Sequence, residues 1–320
     1  MSTQGSNRAI FAALGANLGI AIAKFIGAGV SGSASMLAEG VHSLADTGNQ
    51  GLLLLGGRQS RKTADAEHPF GYGRERYVYA FVVSIILFSI GGVFSLYEGI
   101  EKLTHHEPLT NAIVPIVILL VAIGLESFSF RTAIKESNHI REKGQSWINF
   151  IRRSKAPELP VVLLEDFAAL IGLVLALSGI GLTVITGDPI FDAIGTICIG
   201  VLLVLVAIVL GIETKSLLVG EGANAGDDAK IRDAINSHKD VEALIHMRTL
   251  YLGPDELLVG AKVAFASTRK LADVSASIDS LEVEIRAAVP IARVIYIEPD
   301  VYIAHESNPA TDAIVIKAAD

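Results

Sequence analysis

The sequence predicts an α-helical membrane protein, with six transmembrane helices followed by a C-terminal α+β domain of αββαβ order, ferredoxin-like in type. Three observations predict it. Of the 320 residues, 51% are hydrophobic and only 19% charged, against about 25% charged in a soluble domain, and the mean hydropathy is +0.50. Apolar runs of the length that crosses a bilayer, about 20 residues, recur along the first two thirds. Charge then gathers towards the end. Residues 1–215 carry 16 of the 26 basic and 17 of the 34 acidic side chains, so most of the net charge of −8 falls in residues 216–320. The same figures exclude other classes. The single cysteine, Cys198, rules out a disulfide scaffold. A pI near 5.5 with no basic face argues against a nucleic-acid partner.

The elements follow in order. Ala9–Ala28 is a first span carrying Asn17 and Lys24, and Ser35–Gly57 a second carrying Glu39, His42, Asp46 and Asn49. Tyr77–Tyr97, Phe167–Gly187 and Ala193–Ile212 contain no Asp, Glu, Lys or Arg; Pro108–Leu125 continues through Glu126 to Phe130. Residues 1–215 thus form a membrane domain and residues 216–320 a soluble one. The first segment is too long, and too polar at Lys24, for a cleavable signal.

Loop charges orient the chain. With the N-terminus inside, the loop after the second span carries Arg58, Arg61, Lys62, Arg74 and Arg76, and the loop after the fourth carries a second basic group from Arg131 to Lys155; the opposite connections offer only Lys102. That bias places both termini in the cytoplasm. Short loops and the lack of a transit-type leader read as a bacterial inner membrane, with the lipid bilayer as a constant partner.

The last hundred residues change character. Asp227–Ser237 and Val274–Val289 have helical periodicity. Leu244–Leu252 and Leu257–Phe265 read as strands joined at Gly253-Pro254-Asp255-Glu256, and Arg293–Ile297 as a short strand before Pro299. Helices on one face of a small mixed sheet are expected, with a loosely ordered tail from Val301.

Ionisable side chains inside a bilayer are costly, so each marks a candidate functional position. Glu39, His42, Asp46 and Asn49 are spaced three, four and three residues apart, which puts them on one helical stripe roughly 80° wide. Such a set of oxygen and nitrogen donors suits a divalent cation. Glu165 and Asp166 sit on the fifth span beside the small residues Ala168, Ala169 and Gly172. Adjacent carboxylates point about 100° apart, so both cannot face one centre equally. Glu126 on the fourth span is a further acid, readable as a proton carrier or remote ligand. The competing reading is interhelical hydrogen bonding, which suits Asn17, Ser43, Thr47 and Asn49; Lys24 reads as the partner of an acid. In the loop, Asp65, Glu67 and His68 form a candidate metal site or simply a structured turn. His105, His106 and Glu107 cluster on the opposite side and read as exposed.

Ser33–Gln50, read as S-x-S-M-L-A-E-G-V-H-S-L-A-D-T-G-N-Q, with His68–Gly73, read as H-P-F-G-Y-G, resembles the cation diffusion facilitator family. The A-E-x-x-H-S and L-L-E-D-x-A-A patterns are similar to its zinc-transporter-nine-like branch. The resemblance implies a homodimeric exporter of divalent metal in exchange for protons, not an enzyme. It implies His42, Asp46 and Asp166 as metal ligands converging on one ion. The family's remaining position falls on Val162, which has no donor, leaving Glu39, Asn49, Glu126 and Glu165 as candidate additional ligands or proton carriers. His246 lies one residue from a cytosolic metal position of some relatives, Ser275 replaces another ligand, and Glu298 matches loosely, so the cytosolic domain reads as a dimerisation module.

Metal is here the substrate rather than a resident cofactor. One imidazole with carboxylates suits Zn²⁺, with Mn²⁺, Fe²⁺ or Co²⁺ as rivals, and the lack of thiolates weighs against Cu(I). The alternative is a non-transporting membrane metal sensor or scaffold that kept the fold.

Overall fold

A computed structural model describes residues 3–105, 108–141 and 144–301. The chain separates into two compact units. One comprises the residues up to Ala64 with Arg74–Leu218, and the other comprises Asp65–Gly73 with the residues from Val219 onward.

In the first unit the described helices are α1 (Thr3–Ser31), α2 (Ala34–Gln59), α3 (Glu75–Thr104), α4 (Ile113–Ile140), α5 (Trp147–Arg153), α6 (Glu158–Thr186) and α7 (Ile190–Val219). By length and composition, α3, α4, α6 and α7 can each cross a membrane. The described part of α1 contributes a shorter apolar stretch, Asn17–Ser31, and α2 is interrupted by its polar stripe. Large side chains such as Ile113, Phe128, Ile185 and Ile212 point outward, while Met36, Leu87, Leu119, Leu173 and Leu203 fill the interior. Apolar surface this extensive on the outside belongs against lipid, since soluble monomers rarely expose it.

Helix ends follow local chemistry. Ser33 caps α2 by accepting the Met36 N–H at 3.1 Å. Just before it, α1 stops at Gly32, whose φ of +67° is left-handed. Lys102 of α3 is buried there and donates to the Gly32 carbonyl at 2.6 Å. The only basic residue expected on that side is therefore tied into the fold. Pro160 sits in the first turn of α6, where a missing N–H costs no helical bond. Gly187, with φ of +74°, ends that helix. The short α5 lies within the basic connection between α4 and α6; Ser146 caps it by accepting the Asn149 N–H.

Residues 87–93 of α3 form a π-helical turn containing Gly91 and Gly92. Gly92 and Gly99 of α3 and Gly200 of α7 lie against one another's helices so tightly that a Cβ on any of them would strike a neighbour, at 2.7, 2.6 and 2.8 Å. Small residues of this kind let membrane helices approach closely.

The second unit contains α8 (Ala225–Ser237), β1 (Ala243–Gly253), β2 (Glu256–Ala264), α9 (Leu271–Ala288) and β3 (Ala292–Asp300), the expected αββαβ order. The sheet runs β1-β2-β3, antiparallel between the first two and parallel between the last two. Burial alternates along β2, and its inward residues Leu257, Val259, Ala261 and Val263 meet Ile231 and Ile235 of α8 and Leu281 and Ile285 of α9. β3 is longer than expected and runs through Pro299, which pairs with Val263. A proline is tolerated because β3 is an edge strand. The loop residue Gly73 packs on the backbone of Leu252 and Gly253, where a Cβ would lie 2.6 Å from the Leu252 carbonyl oxygen. Val301 closes the described chain, and the tail expected to be loose lies outside the described residues.

Candidate metal centre

The polar stripe of α2 is anchored first at its N-terminus. Asp192, fully buried at the start of α7, accepts hydrogen bonds from Ser33 Oγ at 2.8 Å, the Ala34 N–H at 2.8 Å and Ser35 Oγ. A carboxylate suits the positive end of a helix dipole. The sequence reading missed Asp192 because it lies one residue outside the charge-free run; the Ser33-x-Ser35 pattern was the available signal.

One turn further on, Lys24 of α1 pairs with Glu39 at 2.9 Å and donates to Ser43 at 2.6 Å. Both charged side chains are 0% exposed. Lys24 therefore has the acidic partner expected of it, and one oxygen of Glu39 is committed to an ammonium.

Further along, His42 and Asp46 face each other, Nδ1 to Oδ1, at 3.5 Å. The His42 side chain is 1% exposed, and neither of its ring nitrogens has a hydrogen-bond partner; the same holds for Asp46 Oδ1. The π turn of α3 brings Gly91 beside this ring, close enough that a Cβ there would be 4.0 Å from His42 Nδ1. π turns inside α-helices often lie at functional sites.

The acids of α6 are held by different neighbours. Asn49 Nδ2 of α2 donates to Glu165 at 2.8 Å, while Ser129 Oγ of α4 donates to Asp166 at 2.9 Å. Glu126 of α4 is half-buried, and Val162 packs among the apolar core. The expected convergence on one ion is thus not drawn tight. Among the described residues, no three His, Cys, Asp or Glu side chains come together as a metal-binding group. The reason is local, since Ser129 and Asn49 draw Asp166 and Glu165 to separate anchors. His42 and Asp46 are brought together; Asp166 and Glu165 stay with those anchors.

The charge balance is uneven. Among the described residues, Asp46, Glu126, Glu165 and Asp166 have no lysine or arginine within ion-pair distance, and the one buried cation nearby, Lys24, is taken by Glu39. A charge at mid-bilayer costs about 3 kcal/mol even on the lowest scales. Asp46, Glu126, Glu165 and Asp166 are therefore four acids on the facing helices with no lysine or arginine to neutralise them among the described residues.

The other candidates are arranged differently. Asp65 accepts the N–H groups of Glu67 and His68 at 3.0 and 2.7 Å and the Tyr72 hydroxyl at 2.7 Å, which together fold the loop as a turn. The Tyr72 hydroxyl, then the His68 and Glu67 N–H groups, hold its carboxyl below the usual carboxylate range. His68 Nδ1 is 3.7 Å from Asp65 and its ring lies 4.4 Å from that of Tyr72. His105 is exposed and 3.4 Å from Glu101; His106 and Glu107 lie outside the described residues. In the sheet, His246, Lys262 and Glu298 form one row across the three strands. Lys262 reaches Asp300 at 2.9 Å and Glu298 at 3.1 Å, so an ammonium already neutralises those acids.

Comparison with known proteins bears on the membrane unit. Residues 10–219 match the family profile described as the cation efflux transmembrane domain. The human protein called "Proton-coupled zinc antiporter SLC30A9, mitochondrial" is 32% identical over 243 residues, covering 76% of this chain and 43% of its own length. "Metal tolerance protein C4" of Arabidopsis thaliana is 31% identical over 266 residues, covering 83% of this chain and 58% of its own. "Magnetosome protein MamB" of Magnetospira is 27% identical over 232 residues, covering 71% and 72%. The chain spans about half the length of the first two.

Proposed function

Given that the chain belongs to the cation efflux family, in the branch related to the zinc antiporter SLC30A9, we propose that it moves Zn²⁺ out of the cytoplasm in exchange for protons, as a homodimer with six spans per chain. The family makes it a multi-pass membrane protein that exports divalent metal cations. The observation that carries the finer reading is the buried His42, with unpartnered ring nitrogens and the half-buried Asp46 facing it, set beside acids that lack a lysine or arginine partner among the described residues.

On this reading His42, Asp46 and Asp166 hold the cargo ion, with Glu165 on the side that Val162 leaves without a donor. His42 has free nitrogens, and Asp46 a free oxygen, to offer. Asp166 needs only to turn from Ser129, and Glu165 remains steered by Asn49. Metal binds imidazole and carboxylates only when they are deprotonated, so protons and metal compete for the same atoms. Exposure of the site to the far side lets protons displace the ion, and the protonated site returns. Imidazole suits this exchange because its ordinary pKa, about 6.5, lies near physiological pH. The oxygen-rich surroundings make Mn²⁺ and Fe²⁺ the main rivals to Zn²⁺. Positive-inside charge orients both termini to the cytoplasm, and the short loops favour a bacterial inner membrane. The αββαβ unit is then cytosolic and ferredoxin-like, and serves dimerisation.

Flux through purified protein in proteoliposomes, with a panel of divalent ions and with or without a pH gradient, tests the reading. Zn²⁺ flux coupled to proton movement, absent in Asp46→Ala and His42→Ala, is expected. Wild-type flux in Asp46→Ala overturns it.

A further inference from the structure

The Lys24–Glu39 pair lies on the ligand stripe but is spent before any cargo arrives. We propose that Glu39 and Ser43 form a second intramembrane cation position, which the ammonium of Lys24 keeps closed. This goes beyond the transport site formed around His42 and Asp46.

The geometry is that of a cation on oxygen donors. Lys24 Nζ lies 2.9 Å from Glu39 Oε2 and 2.6 Å from Ser43 Oγ, in surroundings with no solvent exposure of either charged side chain. The second oxygen, Glu39 Oε1, is fully buried and has no hydrogen-bond partner. It rests on Gly172 of α6, where a Cβ would collide with it. The position therefore has a carboxylate with one oxygen to spare, a hydroxyl, and a glycine that leaves space for the carboxylate. A hard divalent ion binds oxygen donors of this kind.

The charge argument points the same way. Glu39 lies three residues before His42, on the same face of α2. Left without a countercharge, its carboxylate would compete with His42 and Asp46 for the cargo and offer it a resting place one turn away. A lysine tethered on α1 supplies the charge permanently and cannot leave with the metal. The alternative role, a bond that only fastens α1 to α2, would be served by any neutral hydrogen-bonding pair and predicts no change in ion binding.

Equilibrium binding of Zn²⁺ and of Mn²⁺ to the purified full chain in detergent, counted by calorimetry and by elemental analysis after desalting, tests this. Lys24→Gln is expected to bind one more equivalent per chain than the unmodified protein, and Lys24→Gln with Glu39→Gln to return to the original count. The readout is a difference, so it holds whatever number the unmodified chain binds. A folded Lys24→Gln with an unchanged count overturns the proposal, as does a gain that survives Glu39→Gln. If Lys24→Gln unfolds in metal-free detergent, its recovery by Zn²⁺, lost again with Glu39→Gln, supports the closed position; failure of Zn²⁺ to recover it overturns it.

Discussion

Asn49 of α2 donates its amide to Glu165 of α6 at 2.8 Å, and both side chains are buried. The bond does two things. It joins the helix that carries His42 and Asp46 to the helix that carries Asp166, and it fixes one oxygen of the carboxylate next to Asp166. Asn49→Ala would leave Glu165 free to rotate. Groups that orient metal ligands typically change affinity 10- to 100-fold when removed. Zn²⁺ affinity of Asn49→Ala, measured by calorimetry on the purified chain, is expected to fall by about tenfold or more, with circular dichroism unchanged. Undiminished affinity would make the bond purely a helix fastener.

Asp192 fastens the opposite end of α2. Its carboxylate takes two serine hydroxyls and the Ala34 N–H, with no solvent to replace them. Asp192→Ala leaves the Ala34 N–H and one of the two serine hydroxyls without an acceptor, since Ser33 Oγ and Ser35 Oγ, 3.1 Å apart, can bond one another. Losing one such cap costs about 1 kcal/mol, and stranding further buried donors adds about 1–3 kcal/mol each. Thermal unfolding in detergent should show a clear fall in midpoint, larger than that of Ser35→Ala alone. Equal midpoints would show that water has entered to satisfy the donors.

What the sequence made readable, and what it hid, divides by range. The stripe of Glu39, His42, Asp46 and Asn49 lies within one helix, so spacing alone put these residues on a common face. The order of the αββαβ unit also came from local periodicity and turn residues, with errors at ends such as Pro299, where an edge strand accepts what a central one would not. The clamp on α2 joins residues separated by 159 positions, and the Ser33-x-Ser35 pattern marks only one of its two sides. The same holds for Lys24 with Glu39, Lys102 with Gly32, and Ser129 with Asp166. Lys24 and Asp166 were visible as costly polar residues and Lys102 as a loop charge, while the partner of each depended on how the helices stack. The loop Asp65–Gly73 belongs with the C-terminal unit although it lies between α2 and α3 in the chain, a relation that adjacency in sequence conceals.

Close helix approach gives a third test. Gly200 of α7 lies against the Leu96 backbone of α3, with 2.8 Å from an added Cβ to its nitrogen. A backbone neighbour cannot move aside as a flexible side chain can. Gly200→Val should separate α3 from α7 near the π turn and cost about 1–3 kcal/mol, the usual range for overpacking. The midpoint of thermal unfolding checks it. Gly211→Ala on the same helix is the control, because the nearest atom to its added Cβ is Ser84 Oγ at 3.6 Å, an ordinary contact.

Acid should weaken the C-terminal unit through Asp240. Ser277 Oγ donates to this carboxylate at 2.8 Å and Arg269 lies 3.1 Å away, and in that order they hold its pKa below the ordinary 3.8. A folded-state pKa depressed below the unfolded one means that the folded protein binds the proton more weakly. The stabilisation is therefore complete above about pH 4 and is lost as pH falls through the folded value. Asp240→Asn removes the effect at every pH. The difference in unfolding midpoint between the parent chain and Asp240→Asn, followed by circular dichroism, should be constant near neutrality and shrink towards pH 3. Asp300, depressed by Lys262, acts in the same direction, so the Asp240→Asn chain keeps some acid sensitivity. A midpoint difference that grows on acidification would contradict the sign and assign the acid response to groups other than these aspartates.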